Sequence, residues 1–468
     1  MNYSLLILLI GLVFHCGEAS KKKSIVSGTP WPGFPFNRPP MGYFSKSPVE
    51  PDEYYEDYDL VEENDLDENE KSTTKPDYKK SNAFHAGIAS AIHDFTFDLY
   101  KGMVRNKSVE DNLVFSPLSV YTALCMLTLG LGGKSHSQAM EVLHGDAFPD
   151  VHNAMSELSD AIFDNSRSGS VTLTKANRIF IDRSVRLLKE FKSSMRKDYH
   201  VSAKKVNFMN APDLNRRRIN QFVQRHTERK IKDLAPRGSI SSDTRLFIAN
   251  AMYMKASWET RFTFTDKGRF TVNPSEKIIV DMMQSSSGSC YTTLSNELNA
   301  EVIRILMKGD VSFIAIVPST PGDFSLLEDG RGKGRTRRAL EALYEPGFSV
   351  WPQLCRITMP KFKIDFKADD LIDVLKDMGM TDIFDPTEAD LSKMTPSREP
   401  LYVSDVRHKA TIDVNENGLE AAAATGIGVA ARMMPQPVTI DRPFLFMVRD
   451  EKTGATIFTG KVVRPKYE

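Results

Sequence analysis

An α+β fold is predicted for this chain of 468 residues, and three features predict it. Early in the chain Ile88, Ile92, Phe95 and Leu99 recur at three- and four-residue intervals, one face of a helix over 84–104. Later, 246–255 and 311–317 are compact apolar runs that read as buried strands. Last come two strands, 443–448 and 455–463, joined by 450–454 as a hairpin. Helices early and strands late define the class as α+β.

Taken in order, residues 5–14 form an apolar run of ten, followed by Gly17-Glu18-Ala19. Such a run at the start of a chain, with small residues at 17 and 19, predicts a signal peptide over 1–19, although no Lys or Arg precedes it. Secretion is therefore expected. Cleavage removes Cys16 and leaves Cys125, Cys290 and Cys355, so at least one thiol stays unpaired or pairs with another molecule. The fold must rest on a large core rather than on a disulfide framework. Residues 20–81 read as an extension: seven prolines lie from Pro30 to Pro51, and twelve Asp or Glu with no Lys or Arg lie from Ser47 to Glu70. Proline excludes helix and central strand from the first part, and self-repulsion should keep the second extended and disordered. The folded domain is predicted over 82–468. Within it, 119–129 and 137–143 read as helices, and 368–379 as another with Gly379 at its end.

Lys+Arg and Asp+Glu both number 61, which excludes a globally basic nucleic-acid binder. Residues 1–81 hold 9 basic and 14 acidic residues, so an acidic extension is attached to a mildly basic body. No uncharged apolar run is long enough for a good membrane-spanning helix. Gly130-Leu131-Gly132-Gly133-Lys134-Ser135 ends like a phosphate-binding loop. That pattern asks for glycine at 128, where Thr128 stands, and for a preceding strand where the sequence reads helix; a helix C-cap and turn is the better reading. Gly-x-Ser-x-Gly, His-Glu-x-x-His and Cys-x-x-Cys do not occur, and the nine histidines form no metal-ligand cluster in the sequence, so no catalytic residue, metal or cofactor is expected. Two basic clusters remain: Arg216, Arg217 and Arg218 with Arg225, Arg229, Lys230 and Lys232, and Arg331, Lys333, Arg335, Arg337 and Arg338. They read as solvated surface, as sites for a polyanion such as a heparin-like glycan, or as docking sites for the acidic extension. Asn106-Lys107-Ser108 is the one glycosylation sequon of the predicted mature chain.

The segment from Gly418 to Met434 is unusual. Four consecutive alanines, Ala421, Ala422, Ala423 and Ala424, favour helix, but Gly426, Gly428 and the β-branched Thr425, Ile427 and Val429 break it. Read as a strand, its odd positions from Leu419 to Ala431 are almost all apolar, whereas the even positions carry Glu420, Arg432 and both glycines. A segment that is loop in one state and strand in another would have this pattern.

Here the chain resembles the serpin family, from about Ala83 to the C-terminus. Asn415-Glu416-Asn417-Gly418-Leu419-Glu420 with the following alanines and Thr425 is similar to the family's hinge. Asp441-Arg442-Pro443-Phe444 and Phe458-Thr459-Gly460-Lys461-Val462 resemble its C-terminal signature. Phe115-Ser116-Pro117-Leu118-Ser119, Ala176-Asn177, Asn250-Ala251-Met252-Tyr253-Met254-Lys255 with Trp258 and Phe262, Met359-Pro360-Lys361-Phe362, and Ala389-Asp390-Leu391 match further landmarks in order.

The resemblance implies about nine helices and three β-sheets with an exposed reactive-centre loop that inserts as a new strand after cleavage. It places the scissile bond at Arg432–Met433, sixteen positions beyond hinge Glu416, so that the partner is a trypsin-like serine protease held as a covalent acyl complex. It assigns Ser116, Ser119, Asn250 and His408 to a hydrogen-bonded shutter beneath the sheet, and Trp258 to the breach where the loop first enters. The expected form is a secreted monomer that is an inhibitor and not an enzyme. A non-inhibitory carrier, storage or chaperone serpin, or a polyanion-binding extracellular protein, is the alternative. Met254, Ala256 and Leu419 depart from the family's usual Phe, Gly and Thr or Ser; the bulk of Leu419 is expected to slow insertion, so that Leu419→Thr should trap more protease per molecule cleaved. Tyr54, Tyr55 and Tyr58 lie among carboxylates and are candidate sulfation sites. The extension thus resembles in composition the acidic tail of a heparin-activated relative, although the region 150–163 lacks the basic cluster that relative uses.

Overall fold

The computed structural model describes residues 78–105, 107–166, 171–328, 353–396, 401–419 and 434–467. The chain divides into Met1–Thr73, outside the described residues, and Thr74–Glu468, to which everything below belongs. Its helices are α1 (Tyr78–Arg105), α2 (Pro117–Thr128), α3 (Gly133–Val142), α4 (Val151–Ser166), α5 (Lys189–Tyr199), α6 (Pro212–His226), α7 (Phe324–Glu328) and α8 (Leu371–Asp377). The strands are β1 (Leu113–Phe115), β2 (Val171–Lys175), β3 (Arg178–Asp182), β4 (Lys204–Val206), β5 (Leu246–Ser257), β6 (Phe262–Asn273), β7 (Glu276–Ser285), β8 (Gly288–Ser295) and β9 (Ala300–Met307). They continue with β10 (Val311–Pro318), β11 (Gln353–Pro360), β12 (Phe362–Ala368), β13 (Asp405–Asn415), β14 (Gly418–Leu419), β15 (Gln436–Thr439), β16 (Phe444–Asp450) and β17 (Thr456–Val462).

The α+β class and the expected helices and strands are present. The described strands form two sheets rather than three. The reason is β11, which pairs with β7 through 358–360 and with β8 through 353–355 and so makes one ten-stranded ladder of what would otherwise be two sheets. In that ladder Cys290 on β8 lies opposite Gln353, and its disulfide to Cys355 ties β8 to β11, while Cys125 is a buried free thiol among the described residues.

The second, seven-stranded sheet runs β12-β13-β14-β5-β3-β4, with β2 also on β5. The apolar character of β5 on both of its faces, broken within the buried stretch by Asn250, follows from burial on both sides. Leu246, Ile248, Met252, Met254 and Ala256 join the main core, and the alternate residues Phe247, Ala249, Ala251 and Tyr253 join a second core with Ile219, Phe222 and Val223 of α6. α6 therefore covers one face of this sheet. Of the first basic cluster, Arg216 is buried and turned inward, bonded to Asp213 and to the Ala235 carbonyl, while Arg217, Arg218, Arg229 and Lys232 are exposed.

The phosphate-loop look-alike begins, as expected, in the turn that closes α2, where the Gly130 and Leu131 N–H groups donate to the Leu127 and Thr128 carbonyls at 2.9 and 3.2 Å, and it ends as the start of the next helix. Gly133-Lys134-Ser135 opens α3, Lys134 pairs with Asp382 at 3.1 Å, and the Ser135 hydroxyl accepts from the Asp390 amide at 3.0 Å. A Cβ at Gly132 would lie 2.7 Å from both Asp390 carboxylate oxygens, so the glycines admit an acidic side chain where a phosphate loop would hold an anion.

Candidate functional site: the loop hinge and the seam below it

β13 runs parallel to β5 from Asp405↔Phe247 to Ala410↔Met252. Above this stretch the chain turns through Glu416 and Asn417, and β14 comes back between the two strands. Leu419 pairs with Val414 on one side and Ala256 on the other; Gly418 pairs with Asn415 and Ser257. Gly418 has φ +132°, and a Cβ there would stand 2.1 Å from the Ala256 carbonyl oxygen, so this turn requires glycine. Leu419 is 2% exposed and belongs to the main core, as the apolar parity of the odd positions requires.

This corrects the expectation about Leu419. The sequence reading made its bulk an obstacle met after cleavage, yet in the intact chain Leu419 is already seated between β5 and β13. Its large apolar surface favours the docked position, where Thr would bury less. The rest of the loop lies outside the described residues: Glu420, Ala421, Ala422, Ala423, Ala424, Thr425, Arg432 and Met433. Met434 follows, 94% exposed, and β15 then runs parallel to β11. Also outside are Tyr54, Tyr55, Tyr58, Asn106, Arg331, Lys333, Arg335, Arg337 and Arg338.

Trp258 is fully buried against the turn. Its indole N–H donates to the Asn415 carbonyl at 2.8 Å, its backbone N–H donates to the Asn417 carbonyl at 3.2 Å, and its ring meets Phe262 and Phe313 edge-on. The Glu416 carboxylate pairs with Lys361 at 2.8 Å, and this contact outweighs partial burial to hold its pKa below the ordinary glutamate range.

Below the hinge, His408 and Asn250 face each other across the β13–β5 seam and are hydrogen-bonded, His408 Nδ1 to Asn250 Oδ1. The Ser116 N–H, at the cap of α2, donates to His408 Nε2 at 3.0 Å. Nε2 is thereby the acceptor and Nδ1 carries the proton. Burial pushes the imidazole pKa down to about 3, so His408 is neutral over the physiological range. Asn250 Nδ2 donates to the Ser119 carbonyl at 2.7 Å, the Ser119 hydroxyl at 2.8 Å and Asn177 Oδ1 at 2.9 Å; the Ser119 hydroxyl donates to Asn177 at 3.0 Å, and that of Ser116 to the Ile457 carbonyl at 2.7 Å. The four residues expected together are thus joined in one network. Sequence reasoning missed Asn177 as its fifth member, although Ala176-Asn177 was among the landmarks, and it missed Lys361 as the partner of Glu416.

A protein-family model described as Serpin (serine protease inhibitor) matches residues 90–465. The chain belongs to the serpin family. Among its relatives, the leukocyte elastase inhibitor of Xenopus tropicalis is 32% identical over 382 residues, covering 81% of this chain and 99% of that protein. Serpin B3 of Homo sapiens is 33% identical over 407 residues, with 81% and 99% covered. Among solved structures, the insect Serpin48 of Tenebrio molitor matches with a TM-score of 0.70 at 26% identity, over 81% of this chain and 98% of that one. Human thyroxine-binding globulin, at 23% identity, shares the fold with a TM-score of 0.72 over 82% of this serpin and 100% of its own chain.

Proposed function

We propose that this serpin is a secreted inhibitor that traps a trypsin-like serine protease. The protease cleaves after Arg432, and the freed loop inserts between β5 and β13 as a new strand, carrying the acyl-linked protease with it. The observation that carries this reading is β14: Gly418 and Leu419 already occupy the first two positions of such a strand. Residues 420–432 contain no proline to block the backbone pairing that would continue it. The seam below must open for the strand to extend, and the network of Ser116, Ser119, Asn177, Asn250 and His408 is the polar lock across it; Trp258 is the floor at the point where the strand enters. Arg432 is the one Lys or Arg between Lys409 and Arg442, which suits a protease pocket that selects a cation.

Secretion is supported by the apolar run 5–14 and by the Cys290–Cys355 bridge, a bond that persists in oxidising compartments. In that setting Asn106 would carry a glycan, and sulfation of Tyr54, Tyr55 and Tyr58 would add fixed negative charge with which the extension steers a protease bearing a basic exosite. The test is to mix the full chain with trypsin and look for a complex that survives boiling in detergent. The complex should form with the native sequence and be lost in Arg432→Ala. Cleavage after Met433 or Met434 in the released C-terminal peptide would reassign the target to another protease class.

A further inference from the structure

The last described residues of the chain lie on the hinge. The Lys363 N–H donates to the Lys466 carbonyl at 2.8 Å, which holds the C-terminal segment beside β12. This brings the Tyr467 ring to Lys361, whose Nζ stands 4.3 Å from the ring centroid, while the same ammonium pairs with Glu416 at 2.8 Å. Lys361 precedes Phe362, the partner of Val414, so it sits level with the end of β13 where the turn into β14 begins. The Lys361 side chain is only 15% exposed. Burial raises the Tyr467 phenol above its ordinary range, and the Asp413 carboxylate raises it further by its charge and by a hydrogen bond; Asn415 also hydrogen-bonds the phenol. Asp413 and Asn415 are two apart on β13 and so share one face, within reach of a single ring. The Asn415 side chain in turn accepts from the Asn417 N–H at 3.0 Å and donates to Asp413 at 3.1 Å.

We infer that Tyr467 is a positioning residue for the hinge: its ring confines the Lys361 ammonium against the Glu416 carboxylate, so that the C-terminus of the chain holds the turn from which β14 enters the sheet. Without the ring, Lys361 is a long cation free to turn to solvent, and the ion pair weakens as a solvated one does. The turn then releases Gly418 and Leu419 more often. This inference rests on the reading of β14 as the start of the inserting strand, but its measurement needs no protease.

Amide hydrogen exchange of the full chain would be compared for the native sequence, Tyr467→Ala and Tyr467→Phe. Tyr467→Ala should speed exchange at 256–258 and 416–419 about fivefold, the effect of losing a partly buried cation–ring contact. Exchange in the β10–β16 ladder should not change. Tyr467→Phe keeps the ring and should restore near-native hinge exchange. A synthetic peptide of residues 420–431 should also anneal into the sheet faster in Tyr467→Ala. Unchanged hinge exchange in Tyr467→Ala, an equal rise in the β10–β16 ladder, or a Tyr467→Phe variant that behaves like Tyr467→Ala would each overturn the inference. Failure to trap trypsin alongside the expected exchange pattern would count against the inhibitory reading and leave the role of Tyr467 standing.

Discussion

Replacing Leu419 by Thr, the residue common at this place in the family, is the sharpest perturbation of the hinge. The Leu419 side chain is 2% exposed and packed into the main core between β5 and β13. Burying a leucine side chain is worth about 1.5–3 kcal/mol, and Thr returns only part of that while placing a hydroxyl among apolar neighbours. The four backbone pairings of Gly418 and Leu419 remain, so a net loss of about 2 kcal/mol is expected, and it falls on the docked hinge rather than on the whole fold. At 1.4 kcal/mol per factor of ten, the undocked population rises about 30-fold. Amide exchange at Ala256, Ser257, Trp258 and position 419 reads this directly and should accelerate by that factor. The stoichiometry of inhibition should worsen, because cleavage would often find the hinge outside the sheet and insertion would begin later. Native-like exchange at these four amides in Leu419→Thr would refute the reasoning, and fewer inhibitor molecules consumed per protease trapped would restore the view that the leucine's bulk is an obstacle.

Other changes test the network below. The native pKa of His408, about 3, lies under its unfolded value of 6.5, so the unfolded state binds an extra proton between those values; the stability tied to neutral His408 is complete above pH 6.5 and declines as pH falls, by about 1.4 kcal/mol per unit. Melting temperature against pH should therefore slope more steeply between pH 6.5 and 5 in the native protein than in His408→Gln. Asn177→Ala leaves the Ser119 hydroxyl and Asn250 amide one acceptor short and should cost about 1–3 kcal/mol in denaturant unfolding. Deleting residues 20–81 should slow inhibition of the physiological protease but not of trypsin, with the difference shrinking as salt rises; equal rate constants at low salt would remove the steering role.

The sequence alone determined whatever repeats at short range. The face of Ile88, Ile92, Phe95 and Leu99 specified α1, the two-sided apolar run specified β5, and the closing hairpin specified β16 and β17, because each pattern is written in neighbouring residues. Parity placed Leu419 on the core side for the same reason. The family landmarks brought His408 and Asn250 together on paper, but only tertiary structure put them opposite each other across the seam, 158 residues apart in sequence, and added Asn177. Two further outcomes were decided by strand adjacency, which no local pattern encodes. β8 and β11 lie side by side, so Cys290 takes Cys355 and leaves Cys125 free. The β5–β13 seam opens at its top to admit β14, so a residue read as the first obstacle to insertion is instead already in place. Local chemistry fixes which face a side chain prefers; the closure of distant segments fixes what that face meets.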